Sequence, residues 1–116
     1  MKQLSIFIEN KEGTLIKVLD LLSKAGIQII ASTIADTNEY GIYRVICDNP
    51  EKAYLLLKEE GVNLQLVDVN VIKVEDKVGA AADAVRKLND LGVSISYMYT
   101  YRDTDGKGVL VYKQAN

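Results

Sequence analysis

The stretch Ile6–Ile34, IFIENKEGTLIKVLDLLSKAGIQIIASTI, is echoed further along the chain by Ile72–Thr100, IKVEDKVGAAADAVRKLNDLGVSISYMYT. Laid over one another at a constant offset, Gly13 falls on Gly79, Leu22 on Leu88, Gly26 on Gly92 and Ile27 on Val93. Both copies read as strand, short polar loop, glycine, helix, glycine, strand. A unit that recurs at a fixed offset is one supersecondary block used twice. The chain is therefore read as two related halves.

In the first copy, Leu4, Ile6 and Ile8 alternate with Ser5, Phe7 and Glu9, the period of a strand. Phe7 adds an apolar residue to the second face and predicts partial cover there. After the break Asn10-Lys11-Glu12-Gly13-Thr14, the residues Leu15, Val18, Leu19 and Leu22 recur at helical steps, with Ile16 and Leu21 widening the stripe. Gly26 is well placed to end that helix. Ile27–Ala35 is rich in β-branched residues and predicts a second strand. Asp36–Glu39 is turn-like, and Tyr40–Cys47 resumes strand character, so these two runs read as a hairpin. Asp48 or Asn49 can cap the next helix, and Pro50 suits its first turn. Ala53, Leu56 and Leu57 supply that helix's apolar side, Gly61 stops it, and Leu64 and Leu66 open a fourth strand.

The order strand, helix, strand, strand, helix, strand is two split βαβ units. It predicts a four-stranded antiparallel sheet with both helices on one face, the first and third strands central. The second half begins at about Val69. It repeats the plan through the loop Asp76-Lys77-Val78-Gly79 and a helix over Ala80–Leu91 with Ala81, Ala84, Val85 and Leu88 inward. A strand over Val93–Tyr101, a turn over Asp103–Gly106 and a strand over Gly108–Tyr112 complete it. The expected fold class is α+β: a ferredoxin-like βαββαβ sandwich, duplicated, with antiparallel sheets and helices on one face. Residues 1–68 form the complete first domain. Residues 69–116 form a βαββ copy lacking its last helix and strand, which leaves that copy's first strand with an open edge. The natural chain is accordingly expected to continue past Asn116.

Composition narrows the function. Of 116 residues, 48% are hydrophobic and 26% charged, which is globular. A lone half is marginal at this size, so the halves are expected to pack together or on another chain. The formal charge of −2 comes from acids and bases scattered along the chain, without the basic stripe that nucleic-acid binding needs. No run approaches the ~20 apolar residues of a membrane span, and the N-terminus lacks a signal-peptide core. The single cysteine, Cys47, excludes an internal disulfide and reads as a buried thiol. The expected compartment is the cytoplasm. With no histidine, histidine triads and histidine metal sites are excluded, and neither a metal nor a cofactor is expected. A ferredoxin-like acylphosphatase would need an arginine in a phosphate-cradling first loop, but the arginines are Arg44, Arg86 and Arg102. An RNA-binding module would set aromatics such as Phe7, Tyr40 and Tyr43 beside basic residues, and this chain is acidic.

Asn10-Lys11-Glu12-Gly13-Thr14-Leu15, after a strand and before a helix in a βαββαβ unit, resembles the ACT domain. The family pattern is Asp or Asn, two variable residues, Gly, one more residue and an apolar residue. Asp76-Lys77-Val78-Gly79-Ala80-Ala81 follows it too, with Ala81 where a larger apolar residue is commoner. The likeness covers residues 2–70 fully and 71–112 in part. It implies a non-catalytic regulatory module that binds an amino acid or similar small molecule. Such domains pair side by side through edge strands, here as a homodimer. They hold the ligand between the first loop of one domain and the second strand of its neighbour.

Carried onto this chain, the resemblance marks Asn10, Glu12, Gly13, Thr14 and Leu15 in the first copy, with Ser32 on the second strand. In the second copy it marks Asp76, Val78, Gly79 and Ala80. The residues supply a physical reason. A glycine lets a ligand approach the backbone, first-turn N–H groups can hold a carboxylate, and Asn10 or Asp76 can bond an ammonium. The plainer alternative is a turn glycine and a helix cap in each copy. The second loop is poorer in polar chemistry, with Val78 and Ala80 in place of Glu12 and Thr14. Tyr97, Tyr99 and Tyr101 share one strand face and can cover the sheet, make an interface or touch a ligand. A second functional reading is a regulatory subunit of an amino-acid biosynthetic enzyme such as acetolactate synthase.

Overall fold

The first strand, β1 (Lys2–Glu9), lies in the middle of a four-stranded antiparallel sheet ordered β2-β3-β1-β4, with β2 (Ile29–Asp36), β3 (Tyr40–Cys47) and β4 (Leu64–Asp68). The computed structural model describes residues 1–9, 12–36 and 40–115. Helices α1 (Thr14–Lys24) and α2 (Pro50–Glu59) complete this unit, which spans Lys2–Asp68. A second unit runs from Val69 onward and takes in Met1. It holds β5 (Asn70–Val74), α3 (Ala80–Asp90), β6 (Ile95–Arg102) and β7 (Gly108–Gln114), in a three-stranded sheet ordered β5-β7-β6. Among the described residues β5 therefore pairs with β7 alone, on one of its two edges.

Register explains which face of the first sheet meets the helices. Leu4 lies opposite Val45 and Ile6 opposite Tyr43 on one side of β1, while Leu66 and Leu64 answer them on the other. Directly paired residues share a face, and this face carries the core. Leu4, Ile6, Val45 and Leu64 pack with Val18 and Leu22 of α1 and with Ala53 and Leu57 of α2. Each fully buried leucine contributes roughly 1.5–3 kcal/mol of transfer free energy. The opposite face of β1 is covered as well: Gln3 and Ser5 are buried, and the Gln3 amide donates to Ser5 Oγ at 2.9 Å. That bond answers the cost of burying two polar side chains. Phe7 remains partly exposed.

Local chemistry sets the element ends. Asn49 is the N-cap of α2, where its side-chain oxygen accepts from Lys52 N–H and Pro50 opens the helix. Asp48, the other candidate cap, turns its carboxylate to Gln28 N–H instead. Gly26, Gly61 and Gly92 take positive φ just past their helices. The following residues Ile27, Val62 and Val93 donate back to Leu22, Leu57 and Leu88, which closes each helix in the same way.

Two expectations about helix faces are corrected. Ile16 does not widen the apolar stripe of α1 toward the core; it is 56% exposed. Val18 and Leu22 already fill the inner face, and Ile16 lies outside the arc they subtend. In α3, Ala81 is exposed and its neighbour Ala80 takes the inner place, with Ala84 and Leu88 a turn apart on the same side. Alanine steps carry too little contrast for periodicity to tell these two positions apart. Among the described residues, no helix is long and apolar enough to cross a membrane.

Candidate functional site

The two glycines that open α1 and α3 have nearly the same backbone angles. Gly13 stands at the N-terminus of α1 with φ 86° and ψ −8°, and Gly79 at the N-terminus of α3 with φ 87° and ψ −8°. A side chain is strained in this left-handed conformation, so the turn itself demands glycine. Among the described residues, an added Cβ would meet open space at either position. The conformational requirement is thus sufficient by itself, and the space above the backbone is also free for a ligand.

Around Gly13 the sequence-marked residues do come together. A groove of about 630 Å³ is lined by Glu12, Gly13, Thr14 and Leu15, with Ile8 and Ile16 among its walls. The Thr14 hydroxyl donates to the Glu9 carbonyl at 2.9 Å, which ties the first turn of α1 to the end of β1. Gly13 has no side chain with which to cap α1, and the turn Thr14-Leu15-Ile16-Lys17 carries no acid. The positive end of the helix dipole there suits an anion. Asn10 lies outside the described residues. Ser32 is on edge strand β2, away from the groove wall; its oxygen accepts from the Tyr43 hydroxyl at 3.0 Å. Ile30 and Ile34 of the same strand are 47% and 53% exposed.

Sequence reading missed Ile16 as a groove residue. Its signal was there: among the apolar positions of α1 it sits farthest from the line Leu15-Val18-Leu22, on the side of the helix that faces away from the core.

The second junction is closed by its own charges. Asp76 Oδ2 pairs with Arg102 Nη2 at 2.7 Å, and both line a smaller hollow of about 360 Å³. Next to it, Glu75 Oε1 binds Lys107 Nζ at 2.6 Å. That bond holds the Glu75 carboxyl below its usual range and the Lys107 ammonium above its own. Asp103 Oδ1 accepts from the Lys107 and Asp105 N–H groups, and the Lys107 bond is the first cause of its lowered pKa. Val78 is fully exposed, Ala80 is buried, and Asp83 places a carboxylate in the first turn of α3, paired with Arg86 at 2.9 Å.

The remaining marked residues resolve into packing. Tyr97, Tyr99 and Tyr101 are half-buried, and by register Tyr99 and Tyr101 lie beside the buried Val111 and Val109. Cys47 is buried, and desolvation pushes its thiol pKa up, away from a reactive thiolate.

The family model described as an ACT domain pair matches residues 1–116. Among solved structures, protein BT0572 from Bacteroides thetaiotaomicron is 37% identical with a TM-score of 0.90, over 99% of this chain and 79% of that one. The regulatory subunit of aspartate kinase from Thermus thermophilus, in ligand-free form, is 15% identical with a TM-score of 0.66, over 96% and 81%. A structure of aspartokinase alpha and beta subunits is 17% identical with a TM-score of 0.64, over 97% and 81%. At these lower identities the likeness is one of fold. No curated protein matches the chain. With βαββαβ followed by βαββ, a glycine-turned loop at the head of each half and a family match from end to end, the chain belongs to the ACT domain pair family.

Proposed function

We propose that this protein is a non-catalytic regulator that binds an amino acid or similar small molecule at the groove beside Gly13. Residues 1–68 act as the working ACT-like domain and residues 69–116 as its partner half. A second ACT-like domain, from a homodimer, completes the site. The observation that carries the reading is the groove itself: Glu12, Gly13, Thr14 and Leu15 converge on a helix start whose N-cap glycine has no side chain, with open space above Gly13 among the described residues. Ligand carboxylate takes the first-turn N–H groups of α1, and Glu12 is in reach of the solvent edge for an ammonium. Ser32, with Ile30 and Ile34 exposed beside it on edge strand β2, supplies the facing wall of the neighbour. Ligand then favours one association state over another, which is how binding becomes a signal. The cytoplasm is the compartment in which this reading places it.

The alternative, a regulatory subunit of an enzyme such as acetolactate synthase, draws on exposed apolar side chains in each unit. These are Leu55 on α2, 67% exposed, and Leu91 after α3, 78% exposed. A thermal-shift screen against the twenty amino acids separates the two readings. A ligand that binds only the folded state raises the apparent Tm by mass action. A rise with one or two amino acids, lost in Gly13→Val, supports the sensor. A flat response to all twenty defeats it, and recovery of a larger enzyme chain with the tagged protein would then favour the subunit.

A further inference from the structure

A second hollow opens on the other side of the same loop, and of the residues marked in the sequence Thr14 alone is in its described lining. β1 outruns its neighbour: its last pairing with β4 is Ile6 with Leu64, after which Phe7 N–H donates to the Asn63 carbonyl and β4 is no longer alongside. Beyond that point, β1 and the first turns of α1 stand apart from the turn Gly61-Val62-Asn63 that follows α2. The gap between them is a cleft of about 570 Å³. Small-molecule sites usually occupy about 300–1,000 Å³. Its apolar walls are Phe7, Ile8, Val18 and Val62, with Tyr40 beside Phe7 in an edge-to-face ring contact at 5.9 Å. The cation of the cleft is Lys17, which has no ion pair among the described residues. Thr14, Ile8 and Glu9 form a wall common to this cleft and to the groove beside Gly13.

We propose that this cleft is a separate ligand site, taking a small monocarboxylate with an apolar body. Lys17 binds the carboxylate, and the aromatic and branched walls enclose the rest. A carboxylate brought to Lys17 gains a charge-assisted contact, and Glu9, the acid of the same lining, turns it toward the α1 wall by like-charge repulsion. The wall decides its body, because burying a ring or branched chain there removes apolar area from water. Through Thr14, an occupant would also touch the wall of the neighbouring groove. The site lies within the first unit and needs no second chain.

The test is an NMR titration of the isotopically labelled full chain with 4-fluorophenylacetate. The expected result is saturable shifts at the amides of Lys17, Val18, Val62 and Asn63, with affinity at least tenfold lower in Lys17→Gln. Lys17 is exposed, so that variant is expected to fold normally. Filling the cleft with Val62→Trp should also remove binding. Absence of saturable shifts at millimolar probe overturns the proposal, as does unchanged affinity in Lys17→Gln. Shifts confined to Glu12, Gly13, Leu15 and Ile16 would also overturn it while supporting the groove beside Gly13. The two sites therefore fail separately.

Discussion

Gly13 and Gly79 share a conformation, and the side chains around them share almost nothing. Their φ and ψ angles agree within a degree, and each leads into a helix of the same length. Yet the first opens a groove of about 630 Å³ beside an acid-free helix start, while the second has Arg102 bound on Asp76 and Lys107 on Glu75. The Arg102 guanidinium already occupies the Asp76 carboxylate. Duplication preserved what glycine and hydrogen bonding dictate locally. The side chains around the loop were left to diverge, and with them the chemistry each loop can perform.

The largest difference should appear in the cores. Leu22 and Leu88 are repeat-related, but Leu22 is 1% exposed within the main core cluster and Leu88 is 8% exposed on an alanine-rich helix. Leu22→Ala should cost about 3–5 kcal/mol and Leu88→Ala about 2 kcal/mol. Native-state hydrogen exchange reads each unit on its own, and equal losses would show two equally tight cores. Next, Gly13→Val and Gly79→Val each force a branched side chain into left-handed backbone, at about 1–3 kcal/mol. Denaturant midpoints should fall alike in both, whereas ligand-induced Tm shifts should vanish only in Gly13→Val. Loss of the shift in Gly79→Val would make the second loop a working site.

A smaller effect is expected from Arg102→Ala. The pair is largely exposed, so stability should move by less than about 1 kcal/mol, and added salt should erase the difference. A larger, salt-resistant loss would make the pair a structural clamp. The smallest effect concerns pH. Glu75 and Asp103 have folded pKa values below their ordinary ones, so they bind protons less readily when folded. Their contribution is present above the ordinary carboxylate range near pH 4 and is lost as pH falls through the lowered folded values. Lys107 has the opposite sign; its contribution is lost only as pH rises through its raised value, above about 10. As pH falls from 7 through the ordinary carboxylate range and below it, exchange protection of the Asp105 and Lys107 amides should fall. Protection that persists until the whole unit unfolds in acid would show that the Asp103 carboxylate does not hold the turn.

Much of the fold was legible because its signals are local. Alternation in Leu4-Ser5-Ile6-Phe7-Ile8, glycine after each helix and Asn49-Pro50 at the head of α2 all act within one turn or one strand. What misled were apolar positions that side-chain chemistry alone does not rank. Ile16 has the chemistry of a core residue, but Val18 and Leu22 had already filled the inner face. Ala80 and Ala81 are identical in side chain, and only the approach of the sheet separates buried from exposed. Part of the candidate site was equally legible: Glu12, Gly13, Thr14 and Leu15 are contiguous, so one turn of backbone brings them together.

The repeat, the order of elements and the two glycine turns can be read along the chain, because propensity, periodicity and capping are properties of neighbouring residues. That Arg102 reaches Asp76 depends instead on where β6 ends relative to the loop after β5. That β1 outlasts β4 and leaves a cleft beside Lys17 likewise comes from the folded sheet. Strand register and edge length arise from pairing between distant segments, and no local pattern encodes them.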